Sequence, residues 1–265
     1  MASTHPYNQI ILFGDSITQF SFDPQLLGYG ALLANAYVRK VDVINRGFSG
    51  YNTDWALPIL RQLLPTVKEQ EAQACRIHLM TIFFGANDAA LPMSPQHVPL
   101  DRFESNLLAM IDLVRSPASR FYNPTLRLIL ITPPPINEVQ WKKRCEEQGD
   151  VLNRTNEAAS RYAECVRQVG QRADVVVADI WTRIMKKTAE GEGRDLSEFM
   201  LDGLHLNRNG YQELYDLLLE IIANNFKDIH PDQLGYELAY WRDLVGKENP
   251  LKHLHFPLLQ DRKID

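Results

Sequence analysis

Short aliphatic runs alternate along the chain with longer stretches of helical periodicity. Five runs of β-branched and aliphatic residues are predicted strands, at residues 9–13, 41–45, 77–84, 126–132 and 175–179. Five stretches with apolar residues at helical spacing lie between or after them, at residues 26–39, 55–67, 101–115, 151–169 and 209–225. Strands that alternate with helices are typical of a parallel sheet covered by helices. The pattern therefore predicts an α/β fold, a three-layer α/β/α sandwich around a central parallel sheet of about five strands.

The helix predicted at residues 101–115 has the most detailed pattern. Asp101 and Glu104 have the spacing of a capping box, so we expect the helix to begin there. An apolar stripe follows at helical spacing, formed by Phe103, Leu107, Met110, Ile111 and Val114. We expect this stripe to pack on the sheet.

No linker rich in Gly, Ser or Pro divides the 265 residues, and we expect one domain over residues 1–265. The pattern changes after residue 225, and residues 228–265 are predicted to form a helical extension with a loose end. Apolar residues recur in this extension at roughly helical spacing, at Leu234, Leu238, Trp241, Leu244 and Val245. Such a stripe is expected to dock on the body or on a second copy, which makes a homodimer possible.

Composition narrows the class of protein. Apolar residues make up 45% of the chain, as in a globular protein with a sizeable core. The formal net charge of −5 is opposite to the basic surface of a nucleic-acid binder. Cys75, Cys145 and Cys165 have no C-x-x-C spacing, so neither a disulfide framework nor a thiolate metal site is indicated. No apolar run approaches the roughly 18 residues of a membrane span and no signal peptide is recognised, so we expect a cytoplasmic protein.

Polar residues with chemical potential follow the predicted strands, where ligands bind in open parallel sheets. Ser16 comes directly after the first strand and is either a nucleophile or an ordinary helix N-cap. Asp202 precedes His205 by three residues, which lets a carboxylate meet the imidazole Nδ1–H while Nε2 faces a hydroxyl. A lone histidine is more often a packing residue, but a serine, a histidine and a carboxylate together indicate acyl transfer.

Two further loops are candidates to bind a negative charge. Gly50 follows the second strand and would offer a backbone N–H, and Asn87 follows the third strand and would offer its side-chain amide. Asp88 would hold the loop that carries Asn87. Ordinary turn chemistry is the alternative for both loops.

Residues 10–211 resemble the SGNH (GDSL-type) hydrolases through four blocks, at residues 11–18, 47–53, 85–88 and 202–205. The strings at 46–57, 81–89, 202–211 and 236–244 look most similar to the isoamyl acetate-hydrolysing esterases of fungi. The resemblance implies a flavodoxin-like SGNH hydrolase fold, with Ser16 as nucleophile, His205 as base and Asp202 orienting it. It also implies an oxyanion hole of the Ser16 N–H, the Gly50 N–H and the Asn87 side chain.

The resemblance implies a serine esterase that hydrolyses small acetate-type esters, such as isoamyl acetate, through an acyl-enzyme. No metal and no organic cofactor is implied, and the expected partner is a small-molecule ester. One departure is that Tyr51-Asn52 stands where many members have Asp, a difference that bears on the substrate preference more than on catalysis. The lipase-type G-x-S-x-G elbow is absent, which disfavours the α/β-hydrolase fold.

The substrate pocket is expected to be small and apolar. Its candidate lining residues flank the predicted site and are Phe20, Phe22, Trp55, Leu91, Met93 and Trp141. Core or surface packing is the alternative for each of them. A lysophospholipase, a thioesterase or a carbohydrate deacetylase remains open, because fold and triad do not fix the leaving group. A metal-assisted phosphoesterase and a binding module without turnover are the more distant alternatives.

Overall fold

The computed structural model describes residues 7–190 and 195–256. Its centre is a sheet of five parallel strands in the order β2-β1-β3-β4-β5. The strands are β1 (Gln9–Gly14), β2 (Asp42–Gly47), β3 (Ile77–Phe83), β4 (Arg127–Ile131) and β5 (Val176–Ala178). All five predicted strands are confirmed, because each is a short aliphatic run between turn residues.

The helices are α1 (Ser16–Gln19), α2 (Tyr29–Ala36), α3 (Thr53–Leu63), α4 (Val67–Ala72), α5 (Leu100–Arg115), α6 (Glu138–Glu147), α7 (Asn156–Ala173), α8 (Ile180–Glu190), α9 (Arg208–Asn225) and α10 (Trp241–Leu244). Short 3₁₀ turns lie at Phe20–Phe22, Leu196–Glu198, Lys227–Ile229 and Pro250–His253. None of the described helices is long and apolar enough to cross a membrane.

The helices cover both faces of the sheet, which confirms the predicted three-layer α/β/α sandwich. Along β1, Ile10 and Leu12 join a core with α2, α6, α8 and α9, while Ile11 and Phe13 join a core with α3, α5 and α7. This alternation follows from the opposite orientation of successive side chains in a strand. All five residues of the apolar stripe on α5 are buried, as predicted.

Two of the predicted helices, at 26–39 and 151–169, differ from the structure in ways that affect the chain around them. The helix expected at 26–39 is shorter because Leu27 and Arg39 have positive φ angles of 45° and 64°, outside the helical region. The helix expected at 151–169 begins only at Asn156, after Thr155 caps it by accepting a hydrogen bond from the Ala158 N–H. Residues 151–155 are therefore a loop, and this loop contributes to the site described below.

The capping box predicted at Asp101 and Glu104 is wrong. The helix α5 begins one residue earlier, at Leu100, because the Pro99 carbonyl accepts the first helical hydrogen bond, from the Phe103 N–H. Glu104 then lies too far into the helix to reach back to the cap, and it forms an ion pair with Arg172 of α7. Asp101 stays in the first turn, where a carboxylate is favourable beside the helix dipole.

The C-terminal extension differs from the predicted helical stripe. Among residues 228–256, α10 spans a single turn, and Leu234 and Leu238 lie outside it. The Arg39 guanidinium donates to the carbonyl oxygens of Leu238 and Ala239 at 3.2 Å, so these groups pair with a side chain and not within a helix. Residues 257–265 lie outside the described residues, and the homodimer stays a prediction.

Candidate active site

The first strand delivers Ser16 to the carboxyl edge of the sheet. Strand β1 ends at Gly14, and Asp15 caps the next helix by accepting a hydrogen bond of 2.9 Å from the Ile17 N–H. Ser16 is the first residue of α1, so it lies at a strand-to-helix turn as predicted. The turn packs tightly on β2, because a Cβ at Gly47 would collide with the backbone of Gln19. A glycine at this place lets α1 approach the sheet edge.

Ser16, His205 and Asp202 form a continuous hydrogen-bonded series. The Ser16 hydroxyl oxygen lies 2.9 Å from His205 Nε2, and His205 Nδ1 lies 2.9 Å from Asp202 Oδ2. Asp202 is acceptor-only when ionised, so Nδ1 carries the proton and Nε2 is left to accept from the serine. Ser16 is 5% exposed, so most of its surface is covered by protein. The three side chains predicted to act together are thus brought together.

A short loop before α9 holds the histidine in place. Asp202 Oδ1 accepts hydrogen bonds from the backbone N–H groups of Leu204 at 3.1 Å and His205 at 2.9 Å. Gly203 has a φ of +96°, and a Cβ there would come within 2.5 Å of the Asn137 carbonyl oxygen and the Trp141 nitrogen. One carboxylate therefore fixes both the backbone that carries the imidazole and the imidazole itself.

The electrostatics keep the Asp202 carboxylate ionised. Burial raises its pKa, but the hydrogen bond and charge of His205, with the backbone N–H groups of His205 and Leu204, lower the pKa to about 2. The Arg144 Nε lies 3.1 Å from Asp202 Oδ2, the oxygen that also contacts His205. A charged carboxylate at this position can stabilise an imidazolium.

Asn87 and Gly50 meet near the same edge, as the sequence predicts for an anion-binding pair. Asn87 Nδ2 donates to the Tyr51 carbonyl oxygen at 2.8 Å, and Asn87 Oδ1 accepts from Gln96 Nε2 at 3.1 Å. Gln96 Nε2 also donates to the Gly50 carbonyl oxygen at 2.8 Å. Gly50 has a φ of +80°, a left-handed conformation that a glycine adopts without strain. Gln96 therefore connects the two loops.

Two buried carboxyl groups, Asp88 and Asp15, lie in the segments that carry Asn87 and Ser16. Asp88 Oδ1 accepts from the Thr53 N–H at 2.9 Å, which ties the Asn87 loop to the start of α3. Burial raises the pKa of Asp88 to about 6 against the hydrogen bonds from Thr53. Burial likewise raises the pKa of Asp15 to about 7, although the Ile17 N–H and the His205 and Arg154 charges oppose it. Both carboxyl groups change charge close to neutral pH.

The predicted pocket residues are spread over several environments. The Phe20 ring centroid lies 5.5 Å from that of His205, and the Trp55 ring packs edge-on to Tyr51 at 6.0 Å. Leu91 lines an apolar cavity of about 260 Å³ whose lining residues do not include Ser16, Asn87 or His205. Met93 is 68% exposed. Of Phe20, Trp55, Leu91 and Met93, Phe20 is therefore the residue whose ring lies next to the hydrogen-bonded series.

Phe22 and Trp141 belong to the packed interior. Phe22 packs against the core and lies where a Cβ at Gly30 would meet its ring. Trp141 is 8% exposed, and its indole N–H donates to Asn153 Oδ1 at 3.0 Å. The alternative of core packing applies to both, because Trp141 is buried and Phe22 is partly buried against the core.

Sequence reasoning missed Arg154, whose guanidinium donates to Asn87 Oδ1 at 2.9 Å. The residue lies in a segment predicted as helix, where an arginine reads as a solvent-facing charge. The one sequence signal that could have placed Arg154 in a loop is the threonine directly after it, because threonine is a common N-cap residue. Arg144 was also missed, since its contact with Asp202 joins α6 to a distant loop.

Comparison with known sequences identifies the class of protein. Residues 12–213 match the GDSL-like Lipase/Acylhydrolase family. The chain belongs to this family and is a carboxylic ester hydrolase. The resemblance carried by the blocks around Ser16, Gly50, Asn87 and His205 is thereby confirmed.

Individual relatives show which members of the family the chain is similar to. The isoamyl acetate-hydrolyzing esterase of Saccharomyces cerevisiae is 34% identical over 248 residues, covering 90% of this chain and 96% of the yeast protein. The human isoamyl acetate-hydrolyzing esterase 1 homolog is 41% identical over 248 residues, covering 93% and 92%. Among solved structures, a lipase/acylhydrolase from Enterococcus faecalis has a TM-score of 0.59 at 25% identity, covering 88% of this chain and 100% of that one. An acetyl xylan esterase at 19% identity shares the fold, with a TM-score of 0.59 and coverage of 81% and 99%.

Proposed function

We propose that the protein is a serine esterase that hydrolyses short carboxylic esters through an acyl-enzyme on Ser16. The observation that carries the proposal is the unbroken series from the Ser16 hydroxyl through His205 to the Asp202 carboxylate, with two contacts of 2.9 Å. A neutral serine is a weak nucleophile, so it needs a base within hydrogen-bond reach. His205 Nε2 is in that position.

In the acylation step, the Ser16 hydroxyl gives its proton to His205 Nε2 while its oxygen attacks the ester carbonyl carbon. The carbonyl π electrons move onto oxygen, and the resulting anion is bound by the Ser16 N–H, the Gly50 N–H and Asn87 Nδ2. Collapse of this intermediate breaks the bond to the alkoxy group, which leaves as the alcohol with the proton from Nε2. Asp202 stabilises the imidazolium during these steps.

In the deacylation step, water takes the place of the serine. His205 accepts a proton from water, the hydroxide attacks the acyl carbon, and Ser16 recovers its proton as the acid leaves. Each step passes one proton through the same imidazole, from serine to the alcohol and then from water to serine, so no further titratable group is needed. The Arg144 guanidinium beside Asp202 favours the ionised carboxylate throughout.

We propose that small acetate-type esters of alcohols, such as isoamyl acetate, are the substrates. The names of the yeast and human relatives support this class, as does the apolar Phe20 ring next to His205. An apolar alcohol chain gains about 25 cal/mol for each Å² that it buries. The alternative substrates, which the same mechanism would hydrolyse, are lysophospholipids, thioesters and acetylated carbohydrates.

The test compares p-nitrophenyl acetate, butyrate and octanoate with the wild type, Ser16→Ala and Ser49→Ala. Ser49 is an exposed serine in the Gly50 loop and serves as the matched control. We expect rapid acetate hydrolysis that falls with acyl length, that is abolished in Ser16→Ala and that is kept in Ser49→Ala. Isoamyl acetate would then be tested directly by measuring released acid.

Activity that survives in Ser16→Ala would show that another residue is the nucleophile. Activity that rises towards octanoate would replace the short-ester proposal with a lipase or lysophospholipase. Inactivity on all three esters, with Ser16 still labelled by an organophosphonate, would favour a thioester or a carbohydrate ester.

A further inference from the structure

We propose that Arg154 is a positioning residue for the oxyanion hole, which fixes the Asn87 amide so that its N–H faces the reacting carbonyl oxygen. The proposal rests on the proposed function, since it assigns a purpose to a group beside the predicted oxyanion site. It adds a residue that neither the sequence pattern nor the serine, histidine and aspartate series includes.

The Arg154 side chain is buried and donates hydrogen bonds to four neutral oxygens. It is 4% exposed, and its guanidinium donates to Asn87 Oδ1 at 2.9 Å, Gln96 Oε1 at 2.6 Å, Ala86 O at 3.1 Å and Asn153 Oδ1 at 2.8 Å. None of these four acceptors is a carboxylate. Burying a cation among neutral groups costs more free energy than burying an apolar side chain of similar volume. Such an arrangement suggests a use other than stability.

The charge lies close to the acidic groups of the site without contacting them. Burial lowers the pKa of Arg154 to about 10, and the charges of Asp15 and Asp202 oppose that shift. Arg154 therefore remains positively charged at neutral pH. Its guanidinium also lies over the Trp141 ring, 5.1 Å from the centroid, which adds a favourable contact for the charge.

The contact with Arg154 favours one orientation of the Asn87 amide, whose two ends look alike in shape. Oδ1 faces two donors, the Arg154 guanidinium at 2.9 Å and Gln96 Nε2 at 3.1 Å. A flipped amide would set its NH₂ group against the guanidinium, donor against donor. The observed orientation sends Nδ2 to the opposite side, where one hydrogen binds the Tyr51 carbonyl oxygen at 2.8 Å. The second hydrogen is then available to an oxyanion.

The guanidinium also strengthens the donor that it positions. A cation bound to Oδ1 draws electron density from the amide, which makes the remaining N–H a stronger hydrogen-bond donor. Because the site is buried, this polarisation is weakly screened by water. Arg154 thus acts on the transition state through Asn87 and does not itself touch the substrate.

The experiment measures kcat, KM and the rate of Ser16 labelling by an organophosphonate in Arg154→Met and Arg154→Lys. Arg161→Met is the matched control, because Arg161 is an exposed arginine on the neighbouring helix α7. We expect kcat to fall about 10²-fold in Arg154→Met and about tenfold in Arg154→Lys, which keeps the charge but loses the planar fork. KM should change by less than about twofold, since the lost interaction is made in the transition state. Labelling rates should fall in parallel because the phosphonate oxygen occupies the same site, and Arg161→Met should match the wild type.

A double-mutant cycle with Asn87→Ala separates positioning from general packing. If Arg154 acts through Asn87, adding Arg154→Met to Asn87→Ala should lower kcat by less than about threefold further. If the double variant instead loses kcat by the product of the two single losses, the proposal is overturned. Wild-type kcat and labelling in folded Arg154→Lys would overturn it as well. If Arg154→Met does not fold, the Arg154→Lys rates decide the matter.

The outcomes also distinguish this proposal from the proposed function. If the wild type is labelled at Ser16 but hydrolyses no short ester, the substrate assignment fails, and the labelling rates of the variants still test Arg154. If the wild type is not labelled at Ser16, the nucleophile is wrong and the role of Arg154 fails with it. If Arg154→Met lowers only the melting temperature, the residue is structural and the proposal is overturned.

Discussion

Tyr211 donates a hydrogen bond of 2.7 Å from its phenol oxygen to the backbone carbonyl oxygen of Ile17. Ile17 follows the proposed nucleophile Ser16 in α1, and Tyr211 lies in the first turns of α9, the helix that begins shortly after His205. The bond therefore couples the two segments that must hold the serine and the imidazole 2.9 Å apart. The Tyr211 ring is completely buried, so this contact has no competition from water.

We expect Tyr211→Phe to lower both stability and turnover. The change leaves the buried Ile17 carbonyl without its phenol donor, which costs about 1 to 3 kcal/mol of unfolding free energy. Loosened contact between α1 and α9 should also lower kcat severalfold, with KM little changed. Urea unfolding and ester hydrolysis measure the two effects. Tyr215→Phe, one turn further along α9, is the control and should keep the wild-type kcat.

The loop that carries Asp202 and His205 gives a second prediction. Gly203→Ala should abolish most activity and destabilise the protein, because its φ is +96° and the new Cβ would meet backbone atoms of Asn137 and Trp141 at 2.5 Å. Gly149→Ala is a matched control with a φ of +76° and open space around the new Cβ. It should cost only about 1 to 2 kcal/mol in backbone strain and leave kcat unchanged. Equal losses of kcat in the two variants would contradict the steric argument.

The buried Asp15 predicts a pH dependence of stability. Its pKa rises from about 4 in the unfolded chain to about 7 in the folded protein. Between these values the folded state holds a proton that the unfolded state has lost, so the stabilisation is complete below about pH 4 and is lost as pH rises towards 7.

Asp15→Asn tests this dependence, because the amide cannot titrate and its oxygen can still accept the Ile17 N–H. The stability of Asp15→Asn relative to the wild type should increase with pH across this window, with a slope of at most about 1.4 kcal/mol per pH unit. Urea unfolding at several pH values measures the difference. Asp88 titrates in both proteins, so only its charge interaction with Asp15 enters the difference. A difference that stays constant between pH 4 and 7 would show that Asp15 is ionised throughout.

The position of the Phe20 ring beside His205 predicts how shortening this side chain changes KM. Phe20→Ala should raise KM for p-nitrophenyl butyrate by about tenfold, since it removes apolar area next to His205. Met93→Ala is the comparison, because the Met93 side chain is 68% exposed and its removal should change KM little. A larger effect at Met93 than at Phe20 would contradict a pocket beside Phe20 and His205.

Strand-end motifs made much of the site predictable from sequence. Ser16, Gly50 and Asn87 each lie within four residues of the end of a strand, and parallel strands bring their carboxyl ends to one edge. The three-residue spacing of Asp202 and His205 fixed their contact locally. Arg154 and Gln96 have no such signal, because they reach Asn87 through side-chain bonds between loops that are distant in sequence. Likewise, α6 buries only Trp141 and Cys145, too few apolar positions to show a helical pattern.

The sequence separation of 189 positions between Ser16 and His205 sets when activity can arise during translation. A ribosome delivers the serine with the first strand, long before the imidazole and its carboxylate have been made. On the proposed chemistry, a nascent chain or a truncated product therefore carries an unactivated hydroxyl. Ester hydrolysis would then require that synthesis has passed His205. No amino-terminal fragment that stops before Asp202 should hydrolyse esters.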